Sequence, residues 1–219
     1  MSWTRDQGPG FERRGYHHGN LREALIQAAQ ELIGAKGPAG FTIAEAARLA
    51  GVSPAAPYRH FRDAESLLAE VATRGFDQFR DRLAAALSAA PQSDPARAAE
   101  AVGRAYLAFA REESALYAAM FEARIAREPF PELQAASDRA FAVLRKLAEM
   151  LAGAARAQPR PPALMIALHL WSTTHGIVSL FVRGDPSRRR LPMSAEDLLE
   201  AAFLIYFQGL GVTEPSGTA

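Results

Sequence analysis

With 219 residues, 49% hydrophobic and 22% charged, the chain has core-forming material for one large domain or for a small domain joined to a larger one. It contains no cysteine, which excludes disulfide and thiol chemistry. No apolar run approaches bilayer length, and Met1 to Gly19 lacks the apolar stretch of a signal peptide, so a soluble cytoplasmic protein that makes no membrane contact is expected. The net charge of +1 is unevenly spread: residues 1–62 carry eight Lys and Arg against five acids, a basic head suited to nucleic acid on a mildly acidic body.

Residues 1–19 read as a flexible basic arm with Arg5, Arg13, Arg14, His17 and His18. Asn20-Leu21-Arg22-Glu23 has the form of a capping box. Leu21, Leu25, Ala28, Ala29, Leu32 and Ile33 follow at helical spacing until the Gly34 to Gly40 region. Thr42-Ile43-Ala44-Glu45 is a second capping box, opening a short helix that ends near Gly51. Ser53-Pro54 predicts a third helix, with Ser53 as N-cap and Pro54 at the first helical position, where a missing N–H costs nothing. Asp63 then caps a fourth, longer helix bearing Leu67, Leu68, Val71, Phe76, Phe79, Leu83 and Leu87.

Beyond Pro95 the pattern predicts helices near 95–111, 113–127, 131–157, 163–183 and 195–209, with breaks at Gln158 to Pro162 and Gly184 to Pro192. Gly209 is the expected C-cap of the last. The alanine-rich runs and the scarcity of β-branched clusters favour helix throughout, so the expected fold class is all-α.

The short helices of residues 20–61 carry the most specific signal. A glycine at 51 can take the left-handed conformation of a sharp turn between helices. Val52 can plug the angle, and Ala46, Ala47 and Ala50 allow close approach. This is the pattern of a helix-turn-helix, whose second helix enters the major groove. Thr42-Ile43, Ala46-Ala47-Arg48-Leu49-Ala50-Gly51-Val52-Ser53, Tyr58-Arg59-His60-Phe61 and Glu65-Ser66-Leu67-Leu68 together resemble the TetR family DNA-binding domain over roughly residues 16–71.

The resemblance implies phosphate contacts from Thr42, Ser53, Tyr58 and His60. It implies that residues 54–59 (Pro54, Ala55, Ala56, Tyr58 and Arg59 among them) face base edges. Arg59 can reach a guanine or a phosphate, and Ala55 and Ala56 can meet thymine methyls. Tyr58 and His60 have a competing reading as structural residues, and Phe61 reads as core. Pro57 departs from an ordinary helix start, since it lacks the N–H of a first internal hydrogen bond.

By the same resemblance the rest of the chain is a helical ligand-binding and dimerisation domain. Trp171-Ser172-Thr173-Thr174-His175-Gly176 resembles the Trp-x-x-x-His-Gly-like segment of one TetR subgroup. Trp171, Thr174 and His175 share a helix face, either projecting polar tips into a ligand cavity or packing as core or interface residues. Phe109, Tyr117 and Phe121 are the further candidates for that cavity, within an aromatic set that also holds Phe76, Phe79, Tyr106 and Phe141. Ile177, Leu180, Phe181, Leu199, Phe203 and Tyr206 are the candidates for a four-helix homodimer interface.

The expected divisions are a basic arm at 1–19, the helix-turn-helix domain at 20–62, the ligand-binding and dimerisation domain at 63–212 and a tail at 213–219. The expected function is a repressor that binds a palindromic double-stranded operator as a homodimer and is released by a small-molecule effector. No catalytic residue, cofactor or metal is expected, because no nucleophile motif, phosphate loop or metal-ligand spacing occurs. The alternatives are a helical enzyme and a non-specific DNA-binding protein, the latter disfavoured by the low net charge.

Overall fold

Leu25, Ile26, Ala29 and Ile33 recur at three- and four-residue spacing and are all buried, which makes α1 (Leu21–Lys36) a helix with one apolar stripe. A computed structural model describes residues 21–126, 128–183 and 192–212. Asn20, the basic arm with its histidines, the tail and most of the Gly184 to Pro192 break lie outside these residues.

α2 (Ile43–Leu49) is opened by Thr42, whose hydroxyl accepts from the Glu45 N–H while the Glu45 carboxylate accepts from the Thr42 N–H. It is closed by Gly51 at φ 71, with the N–H of Val52 bonding the Ala47 carbonyl and that of Gly51 the Arg48 carbonyl. Both ends follow the expected chemistry.

The third helix departs from expectation. Residues 56–59 form one 3-10 turn, and Ser53 caps nothing. An α-helix capped by Ser53 needs the residue 57 N–H to bond the Ser53 carbonyl, and residue 57 is proline. The carbonyl takes the Ala56 N–H at 3.0 Å instead, and the Pro57 carbonyl takes the His60 and Phe61 N–H groups at 2.9 Å each.

α3 (Ala64–Ala89) starts at Asp63, which accepts from the Ser66 N–H at 2.8 Å, and runs 26 residues as the spine of the molecule. α4 (Pro95–Glu112), α5 (Ser114–Phe121) and α6 (Pro131–Ala154) pack along it. α7 (Ala163–Ile177) lies on α6, and α8 (Ala195–Leu210) on α4 and α7. The described residues contain helices, turns and no strand.

Three further expectations are corrected. The helix placed at 113–127 ends at Phe121, because Arg124 adopts φ 52 and reverses the chain ahead of Pro129 and Pro131. The helix placed at 163–183 changes at Val178 into a five-residue π stretch, Val178–Val182, closed by an Arg183 N–H to Val178 carbonyl bond of 2.9 Å. Gly209 sits inside α8, and the C-cap is Gly211 at φ 68.

The expectation that no run reaches bilayer length is also overturned. α7 and the π stretch run continuously over Ala163–Val182, 20 residues of mean hydropathy 1.4 without Asp, Glu, Lys or Arg. The interruption by His169 and Ser172 to His175 lowers the average without breaking the helix. Ile166, Leu170, Ile177 and Val178 are buried in the core, while Leu164, Met165, Leu168, Leu180 and Phe181 are exposed.

The head is held to α3 mainly by apolar packing. Arg22–Glu70 and Arg74–Glu23 join α1 to α3, but these side chains keep 24% to 47% of their surface, so each pair contributes at most about 1 kcal/mol. Each fully buried Leu or Ile contributes roughly 1.5–3 kcal/mol. The α1 stripe therefore outweighs the ion pairs.

Candidate functional site

Two features adjoin α3, one at its N-terminal end and one at its middle. The first is an exposed polar face on the head. Ser53, Pro54, Ala55, Tyr58, Arg59 and His60 are all exposed, and Tyr58 keeps 59% of its surface. Ala56 is half-buried, and Pro57 and Phe61 are buried. The tight 3-10 turn thus drives Pro57 and Phe61 inward and presents the hydroxyl, guanidinium and imidazole of Tyr58, Arg59 and His60 outward.

Thr42 is exposed at the start of α2, but its hydroxyl is engaged within the capping box. The Lys36 ammonium, 2.6 Å from Glu45, and the Thr42 backbone hold the Glu45 carboxyl below its ordinary value. Arg48 is exposed beside this face. Arg48 and Arg59 form no ion pair among the described residues, whereas Arg62 is paired with Asp63 at 2.8 Å. Free guanidiniums beside helix ends suit phosphate and base-edge contacts.

The second feature is a cavity of about 510 Å³ among α3, α5, α6 and α7. Phe76, Phe79, Phe121, Phe141, Trp171 and His175 supply its aromatic walls, with Met120, Ile125, Leu133, Leu144 and Leu168 between them. The rings meet edge to face, as in Phe76–Phe121 at 5.5 Å and Phe141–Trp171 at 6.0 Å. Arg124 and Asp138 bring opposite charges from exposed positions. Its volume lies within the range of small-molecule sites.

His175 is the polar centre of that wall. Its Nδ1 lies 2.9 Å from the hydroxyls of both Tyr106 and Tyr117. Burial lowers the His175 pKa, opposed by the charge of Glu122. Burial likewise pushes Tyr117 up to about 12 and Tyr106 well above its ordinary value.

Of the cavity residues expected from sequence, Phe121, Trp171 and His175 line it. Tyr117 stands behind His175 with its hydroxyl on the imidazole. Phe109 is fully buried against Phe79, on the side covered by Arg82. Thr174 is buried, bonds the Leu170 carbonyl at 2.8 Å, and faces a separate void of about 10 Å³. Arg124, Ser137, Asp138 and the aliphatic lining carried no sequence signal.

The interface candidates divide similarly. Leu180 and Phe181 are 54% and 39% exposed, and Tyr206 is half-buried with its ring stacked on His169 at 3.8 Å. Ile177, Leu199 and Phe203 are buried within the protomer. A Cβ at Gly103 of α4 would lie 2.8 Å from Leu199 and 3.0 Å from Phe203. Leu164, Met165, Leu168, Leu204 and Ile205 complete the exposed apolar face of α7 and α8, which sequence reading did not single out.

Known proteins resemble this chain in sequence and fold. Residues 25–71 match the family described as bacterial regulatory proteins, tetR family, and residues 99–204 match the tetracyclin repressor-like C-terminal domain. A 69-residue stretch is 41% identical to the HTH-type transcriptional regulator BetI of Rhizobium meliloti (strain 1021). That match covers 32% of this chain and spans about a third, 34%, of the relative. A solved protein of unknown function from Rhodococcus sp. RHA1 superposes with TM-score 0.75 at 29% identity, over 90% of this chain and 98% of that one. AibR, solved in complex with isovaleryl coenzyme A and operator DNA, shares the fold at TM-score 0.64 and 17% identity, over 84% of this chain and 97% of its own.

Proposed function

The chain belongs to the TetR family of transcriptional regulators, the DNA-binding and ligand-responsive repressor type, and from that premise we propose that it binds a palindromic operator as a homodimer and releases it when a small molecule fills the cavity. It acts in the cytoplasm, on double-stranded DNA. The observation that carries the reading is the physical link between the exposed head and the cavity through α5.

Tyr117 and Phe121 of α5 contact His175, with ring centroids 6.0 and 5.0 Å from the imidazole. At the other end of α5, Ala115 lies against Gly34 of α1, 3.6 Å from where a Cβ would sit. Met120 of α5 closes on Gly75 of α3. A ligand pressing on Phe121 or His175 therefore displaces the helix on which α1 and α3 both rest.

Two heads in a dimer enter successive major grooves only when roughly 34 Å apart. A ligand that prefers the protomer shape in which that spacing is lost weakens operator binding, typically by about 1–3 kcal/mol. The apolar face formed by Leu164, Met165, Leu168, Leu204 and Ile205 is the surface proposed to pair the copies across a twofold axis.

Binding to an operator recovered from random duplexes tests the proposal. Scrambling one half-site is expected to weaken binding about tenfold or more at fixed salt. Equal affinity for intact and scrambled duplexes would leave only non-specific binding.

A further inference from the structure

Arg124 lines the cavity from a backbone conformation that its residue type rarely adopts. Its φ of 52 lies in the left-handed region, where a Cβ crowds the following carbonyl and glycine is the ordinary occupant. Met120 and Phe121 at the end of α5, then Arg124 and Ile125 in the turn that follows, all line the cavity. Glycine would make the same turn without that crowding, so the turn itself does not call for a long cationic side chain.

The guanidinium is also uncommitted. Neighbouring arginines are held by carboxylates, Arg183 by Glu122 and Arg139 by Asp77. The Arg124 side chain has no ion pair or hydrogen bond among the described residues. Asp138, the opposite charge in the lining, accepts from the Gln134 amide at 2.8 Å, one turn back on its own helix. His175 is half-buried, with Nδ1 2.9 Å from two phenol hydroxyls, and burial lowers its pKa. It therefore brings no charge at neutral pH, whereas the exposed Arg124 brings a full one.

The aromatic walls favour an apolar body and penalise a charge buried among them. A charged head group therefore belongs at the rim, where Arg124 stands and Ser137 adds a hydroxyl to the lining. Resting on the regulator reading above, we propose that the effector is an amphipathic carboxylic acid, its apolar body in the aromatic cavity and its carboxylate on the Arg124 guanidinium. The planar guanidinium matches a carboxylate with two parallel hydrogen bonds. The left-handed backbone at 124 is then a strain kept for binding rather than for the frame of the molecule.

Fluorescence titration at neutral pH with phenylbutyrate, phenylbutyramide and phenylbutylamine tests this, the three probes sharing one body and differing in charge. In Trp3→Phe protein Trp171 is the remaining tryptophan, so its emission reports occupancy of the cavity. The acid is expected to bind about tenfold more tightly than the amide, an advantage that shrinks as salt is raised. Arg124→Gly should erase that advantage and leave amide binding in place. Urea denaturation of the same variant without ligand should give a midpoint equal to or above the parent's, because the turn is relieved.

A lowered midpoint would mean that Arg124 holds the turn, and overturns the assignment. Equal affinity for acid and amide, tighter binding of the amine, or no binding of the acid also overturns it, and these comparisons need no variant at Arg124. Selection of duplexes without any compound separates the outcomes. A recovered operator with no preference for the acid removes only the ligand chemistry; preference for the acid with no recovered operator removes the regulator reading.

Discussion

The Tyr117 hydroxyl lies 2.9 Å from Nδ1 of His175, tying the helix that touches the DNA-binding head to the helix that lines the cavity. A second tie runs parallel to it. Arg183, at the end of the π stretch, pairs with Glu122 just past α5, bonds the Ser114 carbonyl at 3.2 Å and covers the Tyr117 ring at 5.6 Å. The wide π turn places Arg183 where both ends of α5 are within its reach.

Tyr117→Phe keeps the ring and deletes the hydroxyl. The expected loss is about 1 kcal/mol, the net worth of one buried hydrogen bond, with Tyr106 still satisfying Nδ1. Urea denaturation checks it: the midpoint should fall and the slope stay unchanged. A loss several times larger would mean that the hydroxyl organises the wall itself.

Acid weakens the fold through two partly desolvated histidines. Burial lowers the pKa of both His175 and His169 below the ordinary 6.5. Unfolding frees these rings to bind protons that the folded state refuses, so their contribution is intact above pH 6.5 and shrinks as pH falls below it. The carboxyls held low by arginine, such as Glu23 and Glu196, respond only below their ordinary 4.5. Denaturation midpoints measured on either side of pH 6.5 should fall on the acid side, and His175→Gln should flatten the slope.

Two glycines on facing helices predict unequal outcomes. At Gly103 an added methyl meets Leu199 and Phe203 of α8 inside the core, at 2.8 and 3.0 Å. Gly103→Ala gains roughly 1 kcal/mol of helix propensity but is expected to lose about 1–3 kcal/mol to overpacking, a net destabilisation. At Gly75 the methyl meets the Met120 thioether at 2.7 Å, a side chain that can swing aside. Gly75→Ala should be near neutral, and thermal unfolding distinguishes the pair.

Ile205 is 71% exposed and Leu168 is 44% exposed, whereas Phe203 is 2% exposed. Ile205→Glu combined with Leu168→Glu is expected to convert the proposed dimer to a helical monomer with little loss of protomer stability. Light scattering with circular dichroism reads both properties. Phe203→Glu should unfold the chain instead, because its charge would be buried against α4.

Much of the fold was legible because its punctuation is local. Thr42, Asp63 and Ser194 each cap within three residues, and Gly51 closes α2 with a positive φ that its residue type permits. The 3-10 turn at 56–59 was less visible, since the effect of Pro57 depends on where the helix would have begun. Arg124 gave no warning of its left-handed backbone, which other residues rarely adopt. For the cavity, Trp171 and His175 shared a helix face in the sequence, but the pairing of Tyr106 with Tyr117 joins positions 69 and 58 residues away from His175. Phe109 and Phe121 look alike in sequence, and only the packing of α3 and α6 makes one core and the other wall.

Selection of bound sequences from a random duplex library, at one fixed salt concentration near physiological strength, tests the central claim most directly. The account predicts an inverted repeat with half-sites about one helical turn apart, and loss of base preference within each half-site on Arg59→Ala. Recovery of no motif, or of one that no longer depends on the two-fold repeat, would contradict it.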